Sequence, residues 1–231
     1  MRNGLYKIAF VSTLCLIVAN SLSAQELGRK ADRGFSYQLT DSKKGVVVSK
    51  VEEASNIYKS GLRKGDILLS VDNDEIMGYE SANRILSQLP SGKQLGLKIE
   101  RNGKIQNLNA NLSPIPKEVY EKTIVEYGSF RLKDDTIRTI VTKPNKPAKK
   151  KLPAVFLVQW LSCGSIDIPG EPADGMDYII KSFANNPNII FYRVDKNGVG
   201  DSRGTACIDL DASTEIATYK KGLSNLMDRV D

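Results

Sequence analysis

The feature that most constrains the fold is a change of hydrophobic pattern across one short proline-bearing stretch, Ser113-Pro114-Ile115-Pro116-Lys117. Before it, short strand-like runs dominate, at 45–51, 66–71, 95–101 and 105–112, and the last two flank Asn102-Gly103, a strong hairpin signal. One amphipathic helix fits 79–89, where Ala82, Ile85, Leu86 and Leu89 recur at spacings of three and four. After it comes a hairpin, 125–132 and 136–142, and then two nearly all-apolar runs, 154–158 and 189–194. These alternate with helical stretches near 176–183 and 213–227. Such alternation implies a parallel sheet covered on both faces. Two fold classes are therefore expected in one chain: a small, partly open β-barrel with helices (α+β) over 25–113, and an α/β sheet with flanking helices over 119–231. Proline fixes φ and removes a donor, so 114–118 reads as the linker between them.

Residues 1–24 run from a basic start (Arg2, Lys7) through an apolar stretch, 8–18, to the small residues Ser21, Ser23 and Ala24. That is the layout of a cleaved secretory signal peptide. Its apolar run falls well short of the ~20 residues that a spanning helix needs, so a secreted or periplasmic chain, free of the membrane after cleavage, is expected. Cys15 lies inside this run with Ser12 where a lipoprotein signal would carry an aliphatic residue, which argues against lipidation. The chain holds 33 Lys+Arg against 27 Asp+Glu, and losing Arg2 and Lys7 lowers the net charge from +6 to +4. So mild a surplus is no nucleic-acid signature. Five lysines crowd 143–151 with no aromatic residue among them to stack on bases, and this reads as a solvated loop or a patch for anionic surfaces. Export leaves Cys163 and Cys207 where disulfides persist, either bridged to one another or as two unpaired buried residues.

The chain contains no histidine. That removes a Ser-His-Asp or Cys-His relay, a His-ligated metal and a His-based pH switch from these residues. Two cysteines without histidine are too few soft ligands for a metal or redox centre, so no metal and no cofactor are expected. Gly198-Val199-Gly200 opens a dinucleotide fingerprint, but Arg203 stands where its third glycine belongs. Gly200-Asp201-Ser202-Arg203-Gly204 satisfies G-x-S-x-G. A nucleophile elbow, however, joins strand directly to helix, and here the strand ends by Asp195 while the helix starts well beyond Gly204. No serine is followed by Lys at the third position either. Ser202 is therefore not expected to be a nucleophile.

From about residue 32 to 112 the chain resembles a PDZ domain. The resemblance rests on Gly34-Phe35-Ser36-Tyr37, on Gly45-Val46-Val47-Val48 with Lys50-Val51, and above all on the string Ser60-Gly61-Leu62-Arg63-Lys64-Gly65-Asp66-Ile67-Leu68-Leu69-Ser70-Val71-Asp72. It implies a groove between a strand and the long helix that takes up extended or C-terminal peptide segments by strand addition. The matching carboxylate loop is Asp32-Arg33-Gly34-Phe35, with Arg33 offering a charge, and the peptide-binding candidates are Arg33, Gly34, Phe35, Ser36, Tyr37, Ala82 and Ile85. The alternative is a PDZ domain that merely docks on its neighbour.

From about residue 119 to 231 the chain resembles the opening part of an α/β-hydrolase. The carriers are the hairpin, Leu152-Pro153-Ala154-Val155-Phe156-Leu157-Val158-Gln159 running into Trp160-Leu161-Ser162-Cys163-Gly164, and Tyr192 to Gly204 with its D-x-x-G-x-G-x-S loop. The resemblance implies that the Trp160 or Leu161 backbone N–H forms part of an oxyanion hole; otherwise the segment is an ordinary turn. It places Cys163 and Cys207 on loops at the sheet's carboxyl end, where a bridge would stiffen the rim. In that family the triad follows later in the chain, so no catalytic residue is expected here. The reading is then the N-terminal part of a secreted or periplasmic serine hydrolase, acting on ester or peptide bonds and carrying a peptide-binding PDZ module. The alternatives are a non-catalytic PDZ binding protein, and a chain that completes its sheet with a partner. The oligomeric state is not legible from the residues.

Overall fold

A computed structural model of the protein describes residues 26–38, 44–147 and 151–230. The signal segment with Cys15, and the middle of the lysine-rich stretch, lie outside them. Ten strands and four α-helices are described, in two sheets.

The first sheet holds β1 (Phe35–Gln38), β2 (Val46–Val51), β3 (Ile67–Val71), β5 (Gln94–Arg101) and β6 (Lys104–Asn111) in that order, with the short β4 (Asp74–Glu75) paired to β3. Helix α1 (Asn56–Lys59) precedes β3, and α2 (Tyr79–Leu86) lies between β4 and β5. Alternate residues of the strands, Val46, Val48, Leu68, Leu95, Leu97 and Ile99 among them, bury into one core with Leu62, Ala82 and Leu86. Asn102 and Gly103 both take positive φ, 51° and 72°, as a tight β5–β6 hairpin requires. Asp66 explains the charged residue in the Gly-rich string. Its carboxylate accepts from Arg63 N–H at 2.8 Å and from Arg101 at 2.6 and 2.7 Å, which ties the α1–β3 turn to β5.

The second sheet runs β7 (Thr123–Leu132), β8 (Asp135–Pro144), β10 (Ile190–Val194), β9 (Ala154–Leu157). Only β9 and β10 are parallel; β7, β8 and β10 pair antiparallel, so the sheet is mixed rather than wholly parallel. The expected two-sided covering is present, and side-chain parity produces it. Phe191, Val155 and Leu157 pack with Ile180 and Ala184 of α3 (Gly175–Ala184), while Tyr192, Val194 and Phe156 pack with Tyr219 and Leu226 of α4 (Ala212–Val230). Asp174 caps α3 by accepting from Met176 and Asp177 N–H, and Asp211 accepts from Thr214 N–H at the start of α4.

The stretch 114–118, expected as a linker, is stitched down at both ends. Ile115 N–H donates to Lys30 O at 3.0 Å, and Arg29 donates to the Ile115 and Pro116 carbonyls at 3.0 and 2.6 Å. Glu118 is buried and forms a two-pronged pair with Arg193 at 2.6 and 2.8 Å, with both side chains 0% exposed. The prolines give this stretch its irregular backbone. What they could not reveal is that Arg29 and Arg193, distant in sequence, hold that backbone in place.

Candidate functional site

Strand β1 ends the first sheet: it pairs with β2 on one side, and on the other it faces α2. The gap is spanned by Tyr37, whose hydroxyl donates to Asn83 Oδ1 at 2.7 Å and whose ring lies 6.0 Å from that of Tyr79. Arg33 sits over the Tyr37 ring at 5.7 Å. Gly34 adopts φ 63°, its N–H donating to Asp32 Oδ1 and its carbonyl accepting from Glu52 N–H; an added Cβ would collide with Ser55. Only glycine meets both the positive φ and the close approach.

The sequence-picked residues separate. Arg33, Gly34, exposed Ser36 and half-buried Tyr37 gather along this edge, but Phe35 is a core residue at 7% exposure. Ala82 is fully buried and Ile85 packs against the same core, and neither is among the residues that line the opening. The helix presents Tyr79, Asn83 and Leu86 to the opening instead. The apolar stripe of α2 faces the core and reaches the opening at Leu86, whereas Tyr79 and Asn83 lie on the adjacent, half-polar stripe, which has no periodic signal.

The opening continues into a crevice of about 520 Å³ whose far wall belongs to the second half: Cys163 to Ser165, Gly198 to Gly200, and Ala206 to Ile208. Cys163 and Cys207 are disulfide-bonded with Cα atoms 5.8 Å apart, which settles the open pairing. Asp209, two residues on, takes a two-pronged bond from Arg84 of α2 at 2.8 and 3.1 Å. Gly198 O accepts from Gln88 at 2.8 Å and from Lys30 Nζ at 3.1 Å. The two halves therefore meet through the groove helix.

Behind the crevice lies a buried ionic cluster. Arg138 of β8 bonds Asp195, and also Asp167 at 2.7 Å and Asp201 at 2.8 Å; Arg29 bonds Asp201 at 2.6 Å and Asp167 at 2.7 Å. Burial alone would lower the affinity of Arg138 for its proton, but the three carboxylates outweigh it and raise its pKa. Burial raises that of Asp195, against the pull of Arg138. Arg29 and Asp167 held no motif-level signal, and Asp195, though it opens the D-x-x-G-x-G-x-S loop, takes its ionic role from Arg138, far along the chain.

Ser202 belongs to this cluster and not to a reaction centre. It is fully buried and its Oγ accepts from Arg138 N–H at 2.9 Å. Further, α4 begins ten residues after it, so the loop is no strand-to-helix elbow. At the segment assigned to the oxyanion hole, Trp160 O accepts from Lys196 Nζ at 2.9 Å, and Leu161 is 94% exposed at the rim. Among the described residues no group of His, Cys, Asp or Glu is arranged to hold a metal, and no helix is long and apolar enough to cross a membrane.

The groove geometry is matched by family comparison, in which residues 34–112 fit the PDZ domain family. Residues 34–112 are a PDZ domain. Among curated proteins, the chain is 33% identical over 94 residues to a probable periplasmic serine endoprotease, DegP-like, of Pseudomonas putida (strain W619), covering 41% of this chain and 19% of the relative. It is 31% identical over 72 residues to the periplasmic serine endoprotease DegP of Escherichia coli (strain K12), covering 31% of this chain and 15% of that one. The chain thus spans about a fifth or less of the length of these relatives. A solved HtrA-type protease, AlgW with decapeptide, is 20% identical with a TM-score of 0.35, over 38% of this chain and 30% of that chain. The family match carries the PDZ domain, and the curated relatives carry a likeness to periplasmic serine endoproteases over that part of the chain. They do not extend to an α/β-hydrolase component in the second half.

Proposed function

We propose that this chain is the peptide-recruiting front portion of an exported serine hydrolase. Its PDZ domain takes up extended or C-terminal peptide segments along β1, and residues 119–231 supply the opening strands of an α/β-hydrolase sheet. The observation that carries the peptide reading is the outer edge of β1, which faces α2 and pairs with no other strand among the described residues, with Arg33 and the Gly34 turn at its start. Strand addition needs an unpaired edge flanked by side-chain pockets, and both are present. The periplasmic names of the relatives and the signal-like residues 1–24 support export. For the second half, a hairpin leads into the parallel pair β9/β10, and β9 lies at the sheet's edge. Tyr178, Ile179 and Phe183 on α3, and Ile216, Leu223 and Met227 on α4, remain exposed. A further strand following α4 and adding to β9 would take the place next to these residues, and in the resembled fold that strand delivers the nucleophile.

The test is capture of members of a synthetic random octapeptide mixture by the purified chain, with binding of the best member measured by fluorescence polarisation. Binding that Asn83→Trp abolishes supports the groove, and no captured peptide refutes it. A second reading, a peptide-binding protein without catalysis, is favoured by the burial of Ser202. The two part at the nucleotide sequence after the Asp231 codon: an open frame encoding a β-branched run and G-x-S-x-G within about 20 residues supports the hydrolase, and a stop codon supports the binding protein.

A further inference from the structure

We propose that the crevice between the two halves is a composite acceptor for the carboxylate-bearing end of a peptide, in which the disulfide-bonded loop of the second half forms the wall against the ligand's last side chain. The inference rests on the groove reading above and adds that the PDZ domain does not select its ligand alone.

Three observations converge. The crevice, about 520 Å³, lies within the size range of ligand sites (roughly 300–1,000 Å³) and is continuous with the groove face of α2 through Tyr79, Asn83 and Leu86. Its lining is of one sign: Lys30, Arg33 and Arg84 face it and no carboxylate does, while Arg84 is already engaged by Asp209. Finally, Lys30 is 7% exposed, yet its ammonium, which carries three donors, has only Gly198 O as a described hydrogen-bond acceptor. A buried cation with donors to spare at the wall of a cationic crevice is a fitting counter-charge for an incoming anion. The chemistry around Lys30 agrees. Burial brings its pKa down to about 8; Asp201 and Asp195 behind it pull the value up, and Arg138 and Arg203 push it down. Arg33 and Arg84, across the crevice, add no negative charge. A bound carboxylate would raise the value again and hold the proton above pH 8.

The opposite wall is apolar and fixed. The Cys163–Cys207 bridge, Ala206 and Ile208 line it, and Arg84–Asp209 fastens that loop to α2. The last side chain of a peptide running along β1 would enter between Leu86 and this loop, so preference at that position belongs to both halves.

The experiment uses the best octapeptide from the capture above, with a free carboxylate and as its amide, on the full chain. Expected are a tenfold or greater loss of affinity on amidation, a similar loss with Lys30→Met, and a similar loss with Ile208→Asp. Ile208 is 42% exposed and outside the PDZ domain, so that substitution leaves the groove of β1 and α2 intact. Above pH 8, binding should weaken and take up a proton, which calorimetry in two buffers of different ionisation heat would read; Lys30→Met should abolish the uptake. Peptide binding that Asn83→Trp abolishes but Ile208→Asp and amidation leave within twofold overturns the composite site while sparing the groove. Displacement of the peptide by N-acetyl-leucine at equal potency would show a site for free small carboxylates and overturn the peptide assignment.

Discussion

Replacing Glu118 by Leu should destabilise the second half far more than the loss of one surface ion pair would. Among the described residues the carboxylate gives Arg193 its only charged partner within hydrogen-bond reach, with both side chains 0% exposed, and it also accepts from Ile168 N–H at 2.6 Å. Removing one side of a buried pair costs roughly 3–5 kcal/mol, because the remaining charge keeps its desolvation penalty without its counter-charge. Replacing both sides by apolar residues removes the stranded charge. The double variant Glu118→Leu/Arg193→Met should therefore be about 2 kcal/mol or more stabler than Glu118→Leu alone. Trp160 is the only tryptophan and sits in the second half, so its fluorescence in urea reports the unfolding of this half. At a slope of about 2 kcal/mol per M the single variant should shift its midpoint by about 2 M. Acid should act alike. Burial alone would raise the pKa of Glu118, but Arg193, helped by Ile168 N–H, holds it below the ordinary 4.5. Its contribution is complete above pH 4.5 and disappears as pH falls through the lowered folded-state value. A single variant that loses less than about 1 kcal/mol, the scale of an exposed pair, or a double variant no better than the single, would refute this account of the junction.

Breaking the Cys163–Cys207 bridge, which closes a span of 44 residues, should cost about 4 kcal/mol through the entropy regained by the unfolded chain; thermal melts of Cys163→Ser/Cys207→Ser that match the parent would contradict this. Ser202→Ala strands the buried Arg138 N–H and should lose about 1–3 kcal/mol. It should leave a chromogenic short-chain ester assay at the background expected of the parent, and hydrolysis that disappears with this substitution would restore Ser202 as a nucleophile. Because burial lowers the Lys30 pKa from 10.5 to about 8, the unfolded chain binds a proton that the folded chain lacks between those values. Stability should accordingly rise with pH from 8 to 9.5, and urea midpoints should show that the rise is absent in Lys30→Met.

The PDZ half was legible because its determinants are local. Turn glycines, the Asn102-Gly103 hairpin and alternating apolar residues each act within a few positions, and strand ends agree with the pattern to within one or two residues. The disulfide remained open until loop positions were known, since its two cysteines share no local motif. Within the site, Arg33 and Tyr37 could be read from their place beside Gly34. Asn83 could not, because a polar residue on an exposed helix face looks like any solvated position until Tyr37 is seen across from it. Arg193 and Arg138 lie within strand-like runs, where the pattern records hydrophobicity and says nothing of a buried cation awaiting an acid from elsewhere.

Arg29 precedes the PDZ domain in sequence, but its guanidinium ends among the Asp167 and Asp201 carboxylates of the second half. Cutting the chain anywhere in 114–118 would leave the cation on one piece and its acids on the other. Evolutionary shuffling of the PDZ unit into a new host, or its excision as a free-standing reagent, is consequently penalised unless residues 29 and 30 stay with the second half. The PDZ domain is thus tied to the second half from both of its flanks, through Arg29 and Lys30 on one side and Ile115 on the other.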